Sequence, residues 1–341
     1  MKVDNPADLQ NSDKVITEVP TQQTDLTAEF DYLIEKIEAA NFRNDPFRFI
    51  QIENFLSDAH FNEVITATEI NRPPATSTEN LIEDLQQNGY QVQVFPGCTT
   101  SIKKYLKAYN AEEWPVDKEL LEGFGLVFRL KHYSTPLLKR LVEFLNTPKF
   151  KAALEKKFGI KEPNHIETAF QKYLHAYEIS PHPDSRRKAV TYMLNLNTHK
   201  DSEKMDIHTH LLKFKPERVY IRDFWKNNKD IERCWVPWHW CESIFETRPN
   251  NSISLFAPSN DTLHAVKLNY DHLQYQRTQL YGNLWYNGGK PPYFPSYKDI
   301  ADNPVDIEGI KKRSGMQKIQ RKLDSMVPTS IKYRLIKLMG K

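Results

Sequence analysis

The residues best suited to chemistry are two histidines, an aspartate and an arginine in the C-terminal half of this 341-residue chain. His182-Pro-Asp184 stands between two short β-branched or aromatic stretches, so a backbone turn at that point aims both side chains at one spot. Imidazole with carboxylate is a ligand pair suited to Fe(II), Mn(II) or Zn(II). His264 lies in a further strand-like stretch and would bring a second imidazole, completing a facial two-histidine, one-carboxylate site with open coordination positions. Arg277 opens the next such stretch and offers a fixed fork of donors that suits a carboxylate. Taken singly, each residue has an ordinary explanation. His182 and Asp184 also suit a surface turn, since proline and aspartate are turn formers. His264 could be satisfied by a backbone group, Arg277 by a surface acid, and Tyr173 by plain packing.

The elements that must position these groups change in texture near residue 164. Residues 1–25 are polar and read as a flexible lead-in. Residues 26–163 show apolar residues at helical spacing, as at Phe30, Leu33, Ile34 and Ile37, with helices expected at 26–42, from Ser57, and at 80–87, 101–109, 136–146 and 148–158. Phe47–Ile52 alternates like a short strand. From 164 to 295 short strands are expected at 168–179, 188–195, 251–257, 262–268 and 277–285, separated by Pro, Asn, Asp and Gly, as in a sandwich or barrel. The fold class is therefore α+β, with helices supporting a β core. An insertion at 198–250 carries Trp225, Trp235, Trp238 and Trp240, which suit a substrate lid or a second hydrophobic layer equally well.

The order His182-x-Asp184, His264, Arg277, with Tyr173 on the preceding strand, resembles the Fe(II)/2-oxoglutarate-dependent oxygenases, most closely their prolyl-4-hydroxylase-like branch. The resemblance covers about residues 165–290. It implies a double-stranded β-helix, or jelly-roll, core with N-terminal supporting helices. It also implies Fe(II) held by His182, Asp184 and His264, and 2-oxoglutarate as co-substrate with its distal carboxylate on Arg277. Tyr173 or Thr191 would add a hydrogen bond to that co-substrate, and ascorbate would act as a stimulant. The implied reaction uses O2 to hydroxylate an unactivated carbon of an unidentified primary substrate, a protein side chain such as proline or a small metabolite or saccharide, releasing succinate and CO2. The 82 positions between His182 and His264 exceed the spacing of compact hydroxylases, and Ile179 stands where such enzymes often carry tyrosine. The competing readings are a catalytically silent jelly-roll binding module and a zinc hydrolase, for which Arg277 would have no role.

Other candidates read more plainly. Asp206-Ile-His208-Thr-His210, with His199 nearby, lacks a third ligand in matching context and reads as a polar loop. Cys234, His239 and Cys241 fit no common structural zinc spacing and read as packing. Three cysteines (Cys98, Cys234, Cys241) make no disulfide framework, which fits a reducing, cytoplasmic setting. The chain shows no apolar run long enough to span a bilayer and no secretory pattern. A net charge of +3 does not suggest a specific nucleic-acid partner. That charge is uneven: residues 311–341 carry ten Lys or Arg and one acid, a net +9, which leaves about −6 on the rest. The basic amphipathic tail at 296–341 suits peripheral contact with an anionic membrane or an acidic partner.

Overall fold

Serine and threonine caps start most of the N-terminal helices of this computed structural model, which describes residues 28–93, 101–112, 123–229, 231 and 234–288. The lead-in, the basic tail and Cys98 lie outside the described residues. Helix α1 (Asp31–Ala39) is followed by strand β1 (Ile50–Ile52) and α2 (Asp58–Thr66). At the start of α2 the Ser57 hydroxyl accepts the His60 amide at 3.3 Å. Helix α3 (Thr78–Gln87), strand β2 (Tyr90–Val92), helix α4 (Ile102–Asn110) and strand β3 (Val127–Leu130) come next. Ser77 and Ser101 cap α3 and α4 in the same way, each at 3.2 Å. Helices α5 (Pro136–Leu145) and α6 (Pro148–Phe158) each begin with proline, whose missing N–H has no helical partner to lose there. The helices form where apolar spacing predicts, and β2 and β3 are added beyond that expectation.

The remaining strands are β4 (Asn164–Tyr173), β5 (Glu178–His182), β6 (Lys188–Asn195), β7 (Thr209–Phe214), β8 (Cys241–Glu246), β9 (Ile253–Phe256), β10 (His264–Lys267) and β11 (Arg277–Tyr286). One more helix, α7 (Tyr220–Asn227), lies between β7 and β8. All pairings are antiparallel. A seven-stranded sheet has the order β1-β9-β6-β11-β4-β3-β2 and a four-stranded sheet the order β5-β10-β7-β8. The single strand expected at 168–179 is instead two, because the chain turns between Tyr173 and Glu178, with Ala176 at a φ of 57°, and crosses to the smaller sheet.

Strand periodicity divides the larger sheet into two working faces. Phe170 of β4 and Leu280 and Leu284 of β11 join the core under the helices, packed with Phe30, Leu138, Leu141 and Phe150. Each fully buried side chain of this size contributes roughly 1.5–3 kcal/mol. On the other face Tyr173, Gln171, Arg277, Gln279, Tyr281 and Asn283 line a cavity of about 390 Å³. Gly282 permits this arrangement, since a Cβ there would lie 2.1 Å from the Tyr192 ring.

The tryptophan insertion forms a second apolar layer. Trp225, Trp235 and Trp240 are buried with Ile221 and Leu212, against Leu263 and Ala265 near the small sheet. Trp238 is partly buried and its indole N–H donates to Glu178 at 2.7 Å. Cys234 and Cys241 are both buried as free thiols within this layer. Arg186 fastens the insertion to the turn after β5. Its guanidinium donates to the carbonyls of Ile231 and Trp225, both at 2.6 Å, and lies 4.2 Å from the Trp225 ring centre.

Candidate metal centre

Sheet register brings the two histidines together. Strands β5 and β10 are neighbours, and His264 sits directly opposite His182, with ring centres 4.3 Å apart. β5 ends at His182, and Asp184 follows in the left-handed region at a φ of 71°, a conformation aspartate tolerates better than most residues. The turn carries the carboxylate back toward both rings. His182 Nε2 is 3.8 Å from Asp184 Oδ1, and His264 Nε2 is 3.7 Å from Oδ2. The three ligand-capable atoms lie within 4.8 Å of one another and all three residues are buried.

Backbone carbonyls set the tautomers. His182 Nδ1 is 2.8 Å from the Ser180 carbonyl, and His264 Nδ1 is 3.0 Å from the Thr262 carbonyl. A carbonyl only accepts, so each Nδ1 carries the proton and each Nε2 presents its lone pair on the Asp184 side. This is the outer hydrogen bonding that orients metal-binding imidazoles.

Asp184 is held at both oxygens. Lys188 Nζ donates to Oδ1 at 2.6 Å and the Thr191 hydroxyl to Oδ2 at 2.7 Å. Burial by itself would raise the carboxyl pKa, but the Lys188 charge, then His264 and His182, outweigh it and hold the group well below the usual carboxylate range. Lys188 is buried too, and also donates to the Tyr281 hydroxyl at 2.7 Å. Burial would lower its pKa, yet Asp184 and Tyr281 more than restore it, so both members of the pair are ionised. Each carboxylate oxygen spends one lone pair on these bonds and keeps one for a metal.

Thr191 is the correction to the expected co-substrate contacts. Its hydroxyl is committed to Asp184 and lies 3.1 Å from Asn283 Oδ1, and Thr191 does not line the cavity. It supports the Asp184 carboxylate. Arg277 and Tyr173 do face the cavity. Arg277 is 3% exposed, its guanidinium lies 4.5 Å from the Tyr173 ring centre, and Nη2 donates to Thr209 at 3.0 Å. Burial lowers its pKa, with Tyr173, Tyr177 and Tyr270 opposing. Among the described residues no carboxylate pairs with it. A buried guanidinium without a counter-charge is costly, and a bound anion relieves that cost. The Gln171 amide satisfies both its neighbours only with its oxygen toward Arg129 Nη2, at 2.7 Å, and its nitrogen toward the Tyr173 hydroxyl, at 2.8 Å. Tyr173 then accepts from Gln171 and keeps its proton for another acceptor.

The competing histidines go elsewhere. The stretch expected to be a polar loop at 206–210 leads into β7 of the small sheet, and Thr209 and His210 belong to that strand. His208 is buried just before it, with Nε2 unpartnered among the described residues, and burial plus the Arg277 charge push its pKa down to about 4. His210 hydrogen-bonds Ser243 at 2.8 Å. Sequence reasoning missed Lys188, Tyr281 and Asn283. Counting by twos along β11 from Arg277 would have found the last two, whereas a lone lysine at a strand start gives no such signal.

No protein-family model matches the chain, and no curated protein matches it. Loose similarity exists to solved structures. A prolyl-4-hydroxylase from Pseudomonas putida aligns at 10% identity and a TM-score of 0.37, over 77% of this chain and 100% of its own. A prolyl hydroxylase from Trichoplax adhaerens, in complex with a hypoxia inducible factor peptide fragment, aligns at 12% and 0.34, over 79% and 94%. The non-heme alpha-ketoglutarate-dependent epimerase SnoN, from nogalamycin biosynthesis, aligns at 10% and 0.33, over 79% and 92%. Likenesses this distant carry no argument about activity, which rests on the geometry of the chain itself.

Proposed function

We propose that this protein is an Fe(II)- and 2-oxoglutarate-dependent oxygenase that hydroxylates an unactivated carbon. The observation that carries the reading is a buried His182–Asp184–His264 group sharing one cavity with Arg277, a buried guanidinium lacking a carboxylate partner among the described residues. The strand order supports it. From β4 to β11 the chain alternates between sheets, with β7 and β8 adjacent in the smaller one, as in a double-stranded β-helix. The donor set fits a divalent first-row metal: two neutral imidazoles with fixed tautomers and an ionised carboxylate.

His182, Asp184 and His264 would hold the iron. When bound, iron and 2-oxoglutarate supply the oxidising chemistry, in which O2 oxidises the primary substrate while the co-substrate becomes succinate and CO2. Arg277 would pair with the distal carboxylate of 2-oxoglutarate, and the Tyr173 proton would serve the same anion. Thr191 and Lys188 fix the Asp184 carboxylate, and buried walls such as Val266 and Ala265 limit water.

The test is anaerobic titration of the full chain with Fe(II) and 2-oxoglutarate, followed by visible absorption. A weak charge-transfer band is expected, absent in Asp184→Ala. Arg277→Gln should bind metal normally while its 2-oxoglutarate affinity falls at least tenfold. Absence of the band in the unaltered protein, with no metal-dependent 2-oxoglutarate binding, would leave a silent binding module instead.

A further inference from the structure

The carboxylate expected to hold a metal already carries a cation. Lys188 Nζ lies 2.6 Å from Asp184 Oδ1, and the two side chains are 7% and 2% exposed. Nζ also donates to the Tyr281 hydroxyl at 2.7 Å, and that hydroxyl lies 3.3 Å from Asn283 Oδ1. Asn283 Oδ1 is in turn 3.1 Å from the Thr191 hydroxyl, which donates to the second oxygen of Asp184 at 2.7 Å. Four side chains therefore close a polar chain around the carboxylate, from one oxygen to the other. Lys188 and Thr191 stand on β6 opposite Trp285 and Asn283 of β11, so paired strands fix the chain in place.

Two electrostatic consequences follow from a lysine in this position. Within the group His182, His264, Asp184 and Lys188 the charges of the metal-free chain sum to zero, because both imidazoles are neutral and the ion pair cancels. With the ammonium removed, Asp184 would be left as a buried charge supported by the Thr191 hydroxyl, which opposes folding. A divalent ion on the same carboxylate shares that one anion with the ammonium, and in a low-dielectric cavity the two cations repel. Lys188 is held beside the site from further sides as well, with its ammonium 5.4 Å from the ring centres of both Tyr281 and Trp285.

We propose that Lys188 is a built-in counter-ion of the metal centre, which lets the site form without metal and loosens its hold on a divalent ion. Occupancy then follows the metal supply, and activity is regulated by it. This rests on the metal-centre part of the oxygenase reading, whereas the pairing of Lys188 with Asp184 belongs to the chain alone.

Calorimetric titration of the metal-free full chain with Mn(II) chloride, at one fixed neutral pH, is combined with thermal unfolding before and after metal is added. Lys188→Met removes the charge at similar volume, and Lys188→Gln removes it while keeping a donor. Both should bind Mn(II) at least tenfold more tightly than the unaltered chain, with a lower Tm before metal and a larger rise in Tm after it. Lys188→Arg keeps the charge and should stay within about threefold in affinity. Adding Asp184→Asn to Lys188→Met removes the stranded carboxylate and should recover most of the lost Tm. Should Lys188→Met fail to fold alone, rescue by Mn(II) or by Asp184→Asn supports the proposal, and rescue by neither overturns it. Unchanged or weaker Mn(II) binding in Lys188→Gln also overturns it. No Mn(II) binding by the unaltered chain would instead sink the metal centre, and the Tm of the double variant would still decide the Lys188–Asp184 pairing.

Discussion

Two pairs of histidines, all buried except the half-buried His175, are wired in opposite senses. In His182 and His264 each Nδ1 donates to a backbone carbonyl, so lone pairs on Nε2 face an ionised carboxylate. In His175 and His272 each Nδ1 accepts from a backbone amide, of Tyr270 at 3.2 Å and of His175 at 3.3 Å respectively. His272 Nε2 therefore carries the proton and donates to the Thr78 hydroxyl at 3.0 Å. The second pair stacks with ring centres 6.2 Å apart beside Tyr109. Burial alone does not make a histidine a ligand. The direction of the backbone hydrogen bond, and a carboxylate in reach, separate a pair that could hold a metal from one that pins a loop to the helices.

The comparison can be broken most directly at the metal. Asp184→Ala should weaken Mn(II) or Fe(II) binding at least 100-fold by calorimetric titration, whereas His272→Asn should leave it within about twofold. Equal losses would erase the distinction.

Acid provides the next largest contrast. Burial, reinforced by the His175 charge, pushes the His272 pKa down to about 4, against about 6.5 in an unfolded chain. Below pH 6.5 the unfolded state takes up a proton that the folded state refuses. Stability therefore falls as pH drops from about 6.5 to 4, by up to about 3 kcal/mol. Denaturant unfolding at stepped pH should show this slope in the unaltered protein and a shallower one in His272→Asn.

Smaller effects sharpen the two wiring patterns. Thr191→Val removes one hydrogen bond from the Asp184 carboxylate and should weaken metal binding about tenfold without altering the Tm of the metal-free protein by more than a few degrees. Thr78→Val removes the acceptor from His272 and should cost about 1 kcal/mol in unfolding free energy, with metal affinity unchanged.

These contrasts also show where the chain could be read in advance. The convergence of His182, Asp184 and His264 on one cavity with Arg277 was legible because their chemistry and their order along the chain are unusual together. The helices were visible because apolar spacing and Ser or Thr caps agree locally. Thr191 was misassigned because its target depends on how the β5–β6 turn folds back, which residue type alone does not encode. β7 was missed because His208 and His210 interrupt its apolar pattern, and its strand character comes from pairing with β10 and β8. The tryptophans left two roles open, since an aromatic cluster looks the same in sequence whether it faces a ligand or covers a sheet.

Arg186 has a consequence for engineering. Its two strong donations to main-chain oxygens at residues 225 and 231 begin only two residues after Asp184. The 198–250 segment is therefore not a detachable cassette. A graft from another scaffold would have to offer two carbonyl oxygens and an aromatic plane at the same points, or else the bend that aims the carboxylate would lose its outer brace.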